Sequence, residues 1–77
     1  MTVVSVLLES INDVKEFVNT VVRFDFDVDL ISGRYTIDAK SIMGIFSLDL
    51  AKPIQTNIHA DNCSEFLAAI DKFVQKQ

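Results

Sequence analysis

The chain has 77 residues, about half of them apolar, with six phenylalanines and a formal net charge of −4. That length makes one domain, spanning 1–77, around one modest core, because so short a chain buries a limited share of its surface. The acidic balance excludes nucleic acid as a direct ligand, since phosphate binding rests on clustered cations, and Lys15, Arg23, Arg34, Lys40, Lys52, Lys72 and Lys76 are scattered.

The longest apolar run, Val3 to Leu8, is interrupted by Ser5. It is far shorter than the roughly 18–20 residues of a membrane helix and lacks the basic start of a signal peptide, so no membrane association is expected. Its length and β-branched content predict a buried strand. Ser10, with Asp13 three residues on, predicts a helix N-cap and an acidic first turn. Ile11, Val14, Phe17, Val18, Val21 and Val22 then recur at helical spacing, with Asp13, Lys15, Glu16, Asn19 and Thr20 on the other face. An amphipathic helix of about three turns follows from that spacing.

Phe24, Phe26, Val28 and Leu30 alternate with Asp25, Asp27 and Asp29, which predicts a strand with one wet face. Ser32-Gly33 is a turn, and Arg34 to Asp38 alternates again, so a hairpin is expected. The segment DAKSIMGIFSL then predicts a short helix after Lys40, capped by Ser41 or a neighbour. Its apolar residues are too many for one face of a short helix. Lys52-Pro53 breaks the chain, and Ile54, Thr56, Ile58 and Ala60 alternate with Gln55, Asn57 and His59 as a further strand. Asn62 and Glu65 have the spacing of a capping box. Cys63, Phe66, Leu67, Ile70, Phe73 and Val74 mark a terminal helix, after which Gln75 to Gln77 are expected to fray.

The order β-α-β-β-α-β-α, with one wet face per strand and one apolar stripe per helix, predicts an α+β fold. Its economical packing is a four-stranded, mostly antiparallel sheet with three helices on one face. The single cysteine excludes an internal disulfide and any Cys-based zinc site, and a reducing cytoplasm is the simplest location. On its apolar stripe, Cys63 reads as a packed core residue. The aspartates of the alternating strand sit about 6–7 Å apart, too far to share an ion, so they read as a solvated face partly balanced by Arg34. His59 reads as a solvated strand residue. No metal and no cofactor are expected.

The words Lys40-Ser41-Ile42-Met43-Gly44 and Ser47-Leu48, with Phe24-Asp25-x-Asp27-Val28-x-Leu30 before them and Ala51-Lys52 after, resemble the HPr family. These are the histidine-containing phosphocarrier proteins of the bacterial sugar phosphotransferase system. The resemblance keeps its spacing from the first helix onward and implies an open-faced β-sandwich, in agreement with the packing above. The family carries phosphate on a histidine before the first helix, in a Gly-x-His-Ala-Arg-Pro-like segment. The corresponding residues here are Leu8-Glu9-Ser10-Ile11-Asn12-Asp13. Ser10 takes the histidine position, Asn12 the arginine position and Asp13 the proline position. A phosphoimidazole readily passes its group onward, whereas a serine phosphate ester is far more stable. Glu9 and Asp13 also bring negative charge to where a dianion would sit.

The resemblance further implies that Ser41 is a regulatory phosphorylation site for the HPr kinase/phosphorylase of many Gram-positive bacteria. It implies that Ile42, Met43 and Phe46, beside Lys40, form a partner-binding patch, with Ile45 and Leu48 turned inward. Residues alone leave two plainer readings open: Ser41 as a cap only, and the apolar residues as core. Three functions follow. The first is a regulatory protein-binding module, not an enzyme, similar to the catabolite-repression HPr paralogue that lacks the active histidine and assists a transcriptional repressor. The second is an active phosphocarrier of sugar uptake, through His59 or another acceptor. The third is a structural or pairing module, monomeric or weakly homodimeric, that binds without modification.

Overall fold

In the computed structural model, which describes residues 1–75, the elements run β1 (Thr2–Val6), α1 (Ile11–Val21), β2 (Val28–Ser32), β3 (Tyr35–Asp38), α2 (Ile42–Phe46), β4 (Ile54–Ile58) and α3 (Ser64–Ile70), followed by a 3-10 turn at Asp71–Phe73. The four strands form one sheet in the order β1-β4-β2-β3, and every pairing among the described residues is antiparallel. The α+β class, the four-stranded sheet and the three helices are as the residue pattern predicts.

The register explains which face is covered. Val28 and Leu30 of β2 pair with Ile58 and Thr56 of β4, and all four are buried. Ser5 and Gln55 pair across β1 and β4 and are exposed. One face therefore packs under the helices while the other meets water. Phe17 of α1 and Phe66 of α3 are fully buried beneath that layer. Each contributes about 1.5–3 kcal/mol by leaving water. Phe17 also meets Phe73 edge-to-face at 5.8 Å, which ties α1 to the end of the chain. Lys72 and Glu16 form an ion pair across the same seam. Both are more than half exposed, so it stabilises by less than about 1 kcal/mol.

Several expectations are corrected. β1 is not a buried strand. Its residues alternate, with Val3 52% exposed, because only one face of the sheet is covered. The alternation from Phe24 does not make a strand until Val28. α1 runs on into a turn closed by Arg23 N–H to the Thr20 carbonyl and Phe24 N–H to the Val21 carbonyl. Phe24 and Phe26 then both turn inward from a loop, edge-to-face with Phe66. Thr20 lies in the core, its hydroxyl donating to the Glu16 carbonyl at 2.9 Å, while Ile11 and Val22 are exposed.

The Asn62–Glu65 box does not form, because the helix starts one residue later. Cys63 occupies the cap position and makes no side-chain cap bond. β4 ends at Ile58, although the His59 N–H still reaches the Asp27 carbonyl at 2.9 Å. The terminal apolar stripe spans α3, the 3-10 turn and then Val74, which bridges Val6. Gln75 does not fray, because its N–H donates to the Ser5 carbonyl at 2.8 Å. Lys76 and Gln77 lie outside the described residues. The hairpin forms, but its turn lies one residue later than expected: Ser32 ends β2, Arg34 is in the loop rather than in β3, and Gly33 has φ 58°, the positive value that a type II′ turn requires at the first of its two loop residues.

Candidate functional site

Two helix heads carry the hydroxyls that the residue pattern singles out. At α1, Ser10 is extended (φ −142°, ψ 166°) and its Oγ accepts from the Asp13 N–H at 3.1 Å. Asp13 replies: its Oδ2 accepts from the Glu9 N–H at 3.0 Å. The first bond caps the helix, and the second ties the Asp13 carboxylate back to the residue before the cap. Ser10 and Asn12 are exposed, and among the described residues no imidazole or guanidinium takes part in the bonds of this head. The loop before β4 comes close here, with Leu50 and Ala51 lining a shallow depression together with Leu7 and Glu9. Chemically the head is an acceptor-rich cap. Asp13 places a carboxylate in its first turn, which opposes a dianion there.

His59, the sole histidine, stands elsewhere. Its Nε2 lies 2.8 Å from Asp29 Oδ2. The neighbours of Asp29 on β2, Val28 and Leu30, point into the core, so Asp29 faces the open side of the sheet, away from α1. His59 is therefore paired rather than merely solvated, and it, not Arg34 as expected, is the side chain that meets Asp29. Asp25 and Asp27 belong to the loop, not to a strand face. No group of three or more His, Cys, Asp or Glu is arranged to hold a metal among the described residues.

At α2, Ser41 is again the N-cap, and its Oγ accepts from the Gly44 N–H at 3.3 Å. Asp38 shapes the approach: its carbonyl accepts from the Ser41 N–H at 2.9 Å and its Oδ1 from the Lys40 N–H at 2.9 Å. The helix is one and a half turns long, and Ser47 closes it by donating to the Gly44 carbonyl at 2.6 Å. Ser41 is exposed, Met43 is 77% exposed and Phe46 38%. Ile45 is fully buried and Leu48 packs partly against the core, as expected. Ile42 departs from expectation: it is half-buried against the core, and Lys40 is half-buried as well. The free apolar surface is thus Met43 with Phe46, and Ile42 contributes only its rim.

Ile11 is a further exposed apolar residue, 63% open, on a helix that packs against α2. Helical spacing places it on the buried stripe. Its position as the first helical residue, beyond the last turn that covers the sheet, was the available clue.

The sequence model of the PTS-HPr family, described as the PTS HPr component phosphorylation site, matches residues 12–76. The matched span begins two residues after Ser10. The structure of HPr-C-His from Thermoanaerobacter tengcongensis superposes with a TM-score of 0.76 at 23% identity, over 94% of this chain and 89% of that one. That of a phosphocarrier protein HPr from Bacillus anthracis str. Ames superposes with a TM-score of 0.70 at 31% identity, over 96% and 94%. No curated protein matches the chain by sequence.

Proposed function

Because the chain belongs to the PTS-HPr family of phosphotransferase-system phosphocarriers, we propose that it is a member without phosphohistidine carrier activity. In this reading it is a cytoplasmic, single-domain regulatory module rather than an enzyme. It binds proteins through the Met43/Phe46 surface, with Ile42 and Lys40 at its rim, and is switched by phosphate on Ser41. Its partners are the HPr kinase/phosphorylase and a catabolite repressor.

The contrast between the two helix heads carries this reading. At α1 the hydroxyl takes the Asp13 N–H, the Asp13 carboxylate is held on the Glu9 N–H just before the cap, and Asp13 therefore stands where added negative charge is repelled. At α2 the first turn has no acidic residue, the capping hydroxyl is exposed, and Lys40 precedes it. A phosphoryl group on Ser41 would meet the free N–H groups of the helix head. It would strengthen the cap by about 0.3–1 kcal/mol and change the charge beside Met43 and Phe46.

The test is phosphorylation by the HPr kinase with ATP, followed by peptide mass spectrometry. Phosphate on Ser41, lost in Ser41→Ala, supports the switch; an unmodified Ser41 under conditions that modify a genuine HPr removes it. A parallel incubation with phosphoenolpyruvate and the upstream enzyme addresses the carrier function. Acid-labile phosphate on this chain would overturn the proposal.

A further inference from the structure

We propose that the outer edge of β3 pairs with the same edge of a second copy of this chain, antiparallel and centred on Thr36, so that two sheets become one. The fold treats its two sheet edges differently. Along β1 the end of the chain covers the edge: Val74 bridges Val6, and the Gln75 N–H donates to the Ser5 carbonyl at 2.8 Å. β3 closes the other side of the sheet, and no described residue pairs with it from outside. Natural edges are commonly blocked by a lysine, a proline, a bulge or an inward-pointing charge. The strand Tyr35–Asp38 has none of these, and its register with β2 runs without interruption.

The register also fixes which backbone groups face outward. The Ala39 N–H donates to the Val28 carbonyl at 2.8 Å, one step beyond the Asp29–Asp38 pair. Bonded and non-bonded positions alternate along an antiparallel pair, so Tyr35 and Ile37 also direct their backbone groups to β2. The Thr36 N–H and carbonyl and the Asp38 N–H therefore point away from the sheet. The Asp38 carbonyl already accepts from the Ser41 N–H, while Thr36 is exposed.

Charge and shape select a second copy as the occupant. Centred on Thr36, the pairing sets Arg34 of each copy opposite Asp38 of the other, Tyr35 opposite Ile37, and Thr36 opposite itself. Opposite-charge, aromatic–β-branched and Thr–Thr pairs are each favourable across strands. A centre on Arg34 or on Asp38 sets like charges together, and a centre on Tyr35 or Ile37 leaves one of the two charges unmatched. Both charges lack a counterpart within the chain. The Arg34 side chain makes no hydrogen bond or ion pair among the described residues. Asp38 stands directly across from Asp29, a like-charge pair that costs stability, and His59 goes to Asp29. Tyr35 is 69% exposed and gains the partly buried Ile37 of the second copy. The surface is independent of phosphate at Ser41 and of the α1 head.

The experiment is sedimentation equilibrium of the full chain at concentrations up to about 1 mM, because an interface this small belongs with weak associations. A reversible dimer is expected, with concentration-dependent amide NMR shifts largest at Arg34, Thr36 and Asp38. Arg34→Asp and Asp38→Arg each set like charges together at both ends. Each alone is expected to weaken self-association at least about 10-fold. Mixed in equal amounts, the two variants restore opposite charges at both ends, and a mixed dimer as strong as that of the unaltered chain is expected. Thr36→Pro removes an outward N–H that β2 does not use, a change edge strands tolerate, and is expected to abolish the dimer. Amide dispersion shows that each variant is folded. A chain monomeric throughout, shifts centred on Met43 and Phe46 instead, a mixture of folded variants no tighter than either alone, or undiminished association of Thr36→Pro would each overturn the proposal.

Discussion

Gly44→Ala is the sharpest probe of how α2 is seated. In an ordinary exposed helix this change stabilises by up to about 1 kcal/mol, because alanine loses less backbone freedom on folding. Here the added Cβ would lie 2.8 Å from Ile37 Cγ2 and 3.0 Å from Ser41 Oγ. Ile37 is β-branched and sits on β3, paired with Leu30, so its methyl has little freedom to retreat. Overpacking of this kind costs about 1–3 kcal/mol. Displacing the Ser41 hydroxyl from the Gly44 N–H removes a cap of about 1 kcal/mol. The two losses exceed the helical gain, and a net destabilisation of about 2 kcal/mol is expected. For a domain of this size that lowers the melting temperature by roughly 10 °C. Thermal unfolding followed by circular dichroism reads it directly. Gly33→Ala is the companion variant: nothing lies within 4 Å of its added Cβ, and its strain comes from φ +58° alone. An unchanged or raised melting temperature for Gly44→Ala would refute the reasoning, by showing that α2 slides on β3 without resistance.

The remaining predictions concern charge and surface. Phe46→Asp is expected to cost about 1–2 kcal/mol of folding stability, since Phe46 is 38% exposed and the rest of its ring is covered, and to abolish binding of the proposed repressor partner in a pull-down of the still-folded variant. Ser10→His alone is not expected to produce phosphoryl exchange with the upstream enzyme, because Asn12 and Asp13 remain; an acid-labile phosphate in that variant would show that the histidine alone was missing. Ser10→Ala should cost about 1 kcal/mol through the lost α1 cap, measurable by urea unfolding. The Asp61 carboxyl is held below its ordinary range by a hydrogen bond from the Met1 ammonium at 2.8 Å. A lowered folded-state value means that its small contribution is present above the ordinary carboxylate range and lost as pH falls through the folded value. Acetylating the amino group, checked by melting curves across that acid range, should remove the difference.

Most of the architecture was legible because periodicity reports which residues face the core. Phe17, Val14 and Val21 obeyed helical spacing, and Ile54 and Ile58 obeyed strand spacing, each for the reason that only one face of its element is covered. The misreadings share a cause as well. Phe24 and Phe26 have a strand's period, yet they converge on Phe66 from a loop, because alternation records burial and not hydrogen bonding. Thr20 was placed outside by its hydroxyl, but a threonine within a helix returns that hydroxyl to the carbonyl four residues back and becomes as buryable as valine. Asn62 has the chemistry of a cap and sits one residue early, an error that boundary rules do not resolve. At the candidate site both serine caps were readable from their chemistry. The half-burial of Ile42 was not, because it depends on the angle at which a five-residue helix meets β3.

The two serines separate what this chain resembles from what its own chemistry favours. Both are N-caps, both are exposed, and each accepts from the N–H three residues on. They differ in what surrounds the hydroxyl. Around Ser10 stand Glu9 and Asp13, and the bond from the Glu9 N–H holds the Asp13 carboxylate beside the helix head, so a dianion there would face a like charge. Around Ser41 the acidic neighbour, Asp38, is turned back onto the Lys40 N–H, and the following turn is Ile42, Met43 and Gly44. Negative charge added at Ser41 displaces one 3.3 Å bond and meets the remaining N–H groups of a first turn that holds no carboxylate. The same residue type, capping in the same way, thus has a carboxylate in the first turn at one helix and none at the other. That asymmetry follows from Asp13 and Asp38, and it would persist whatever enzyme delivers the phosphate.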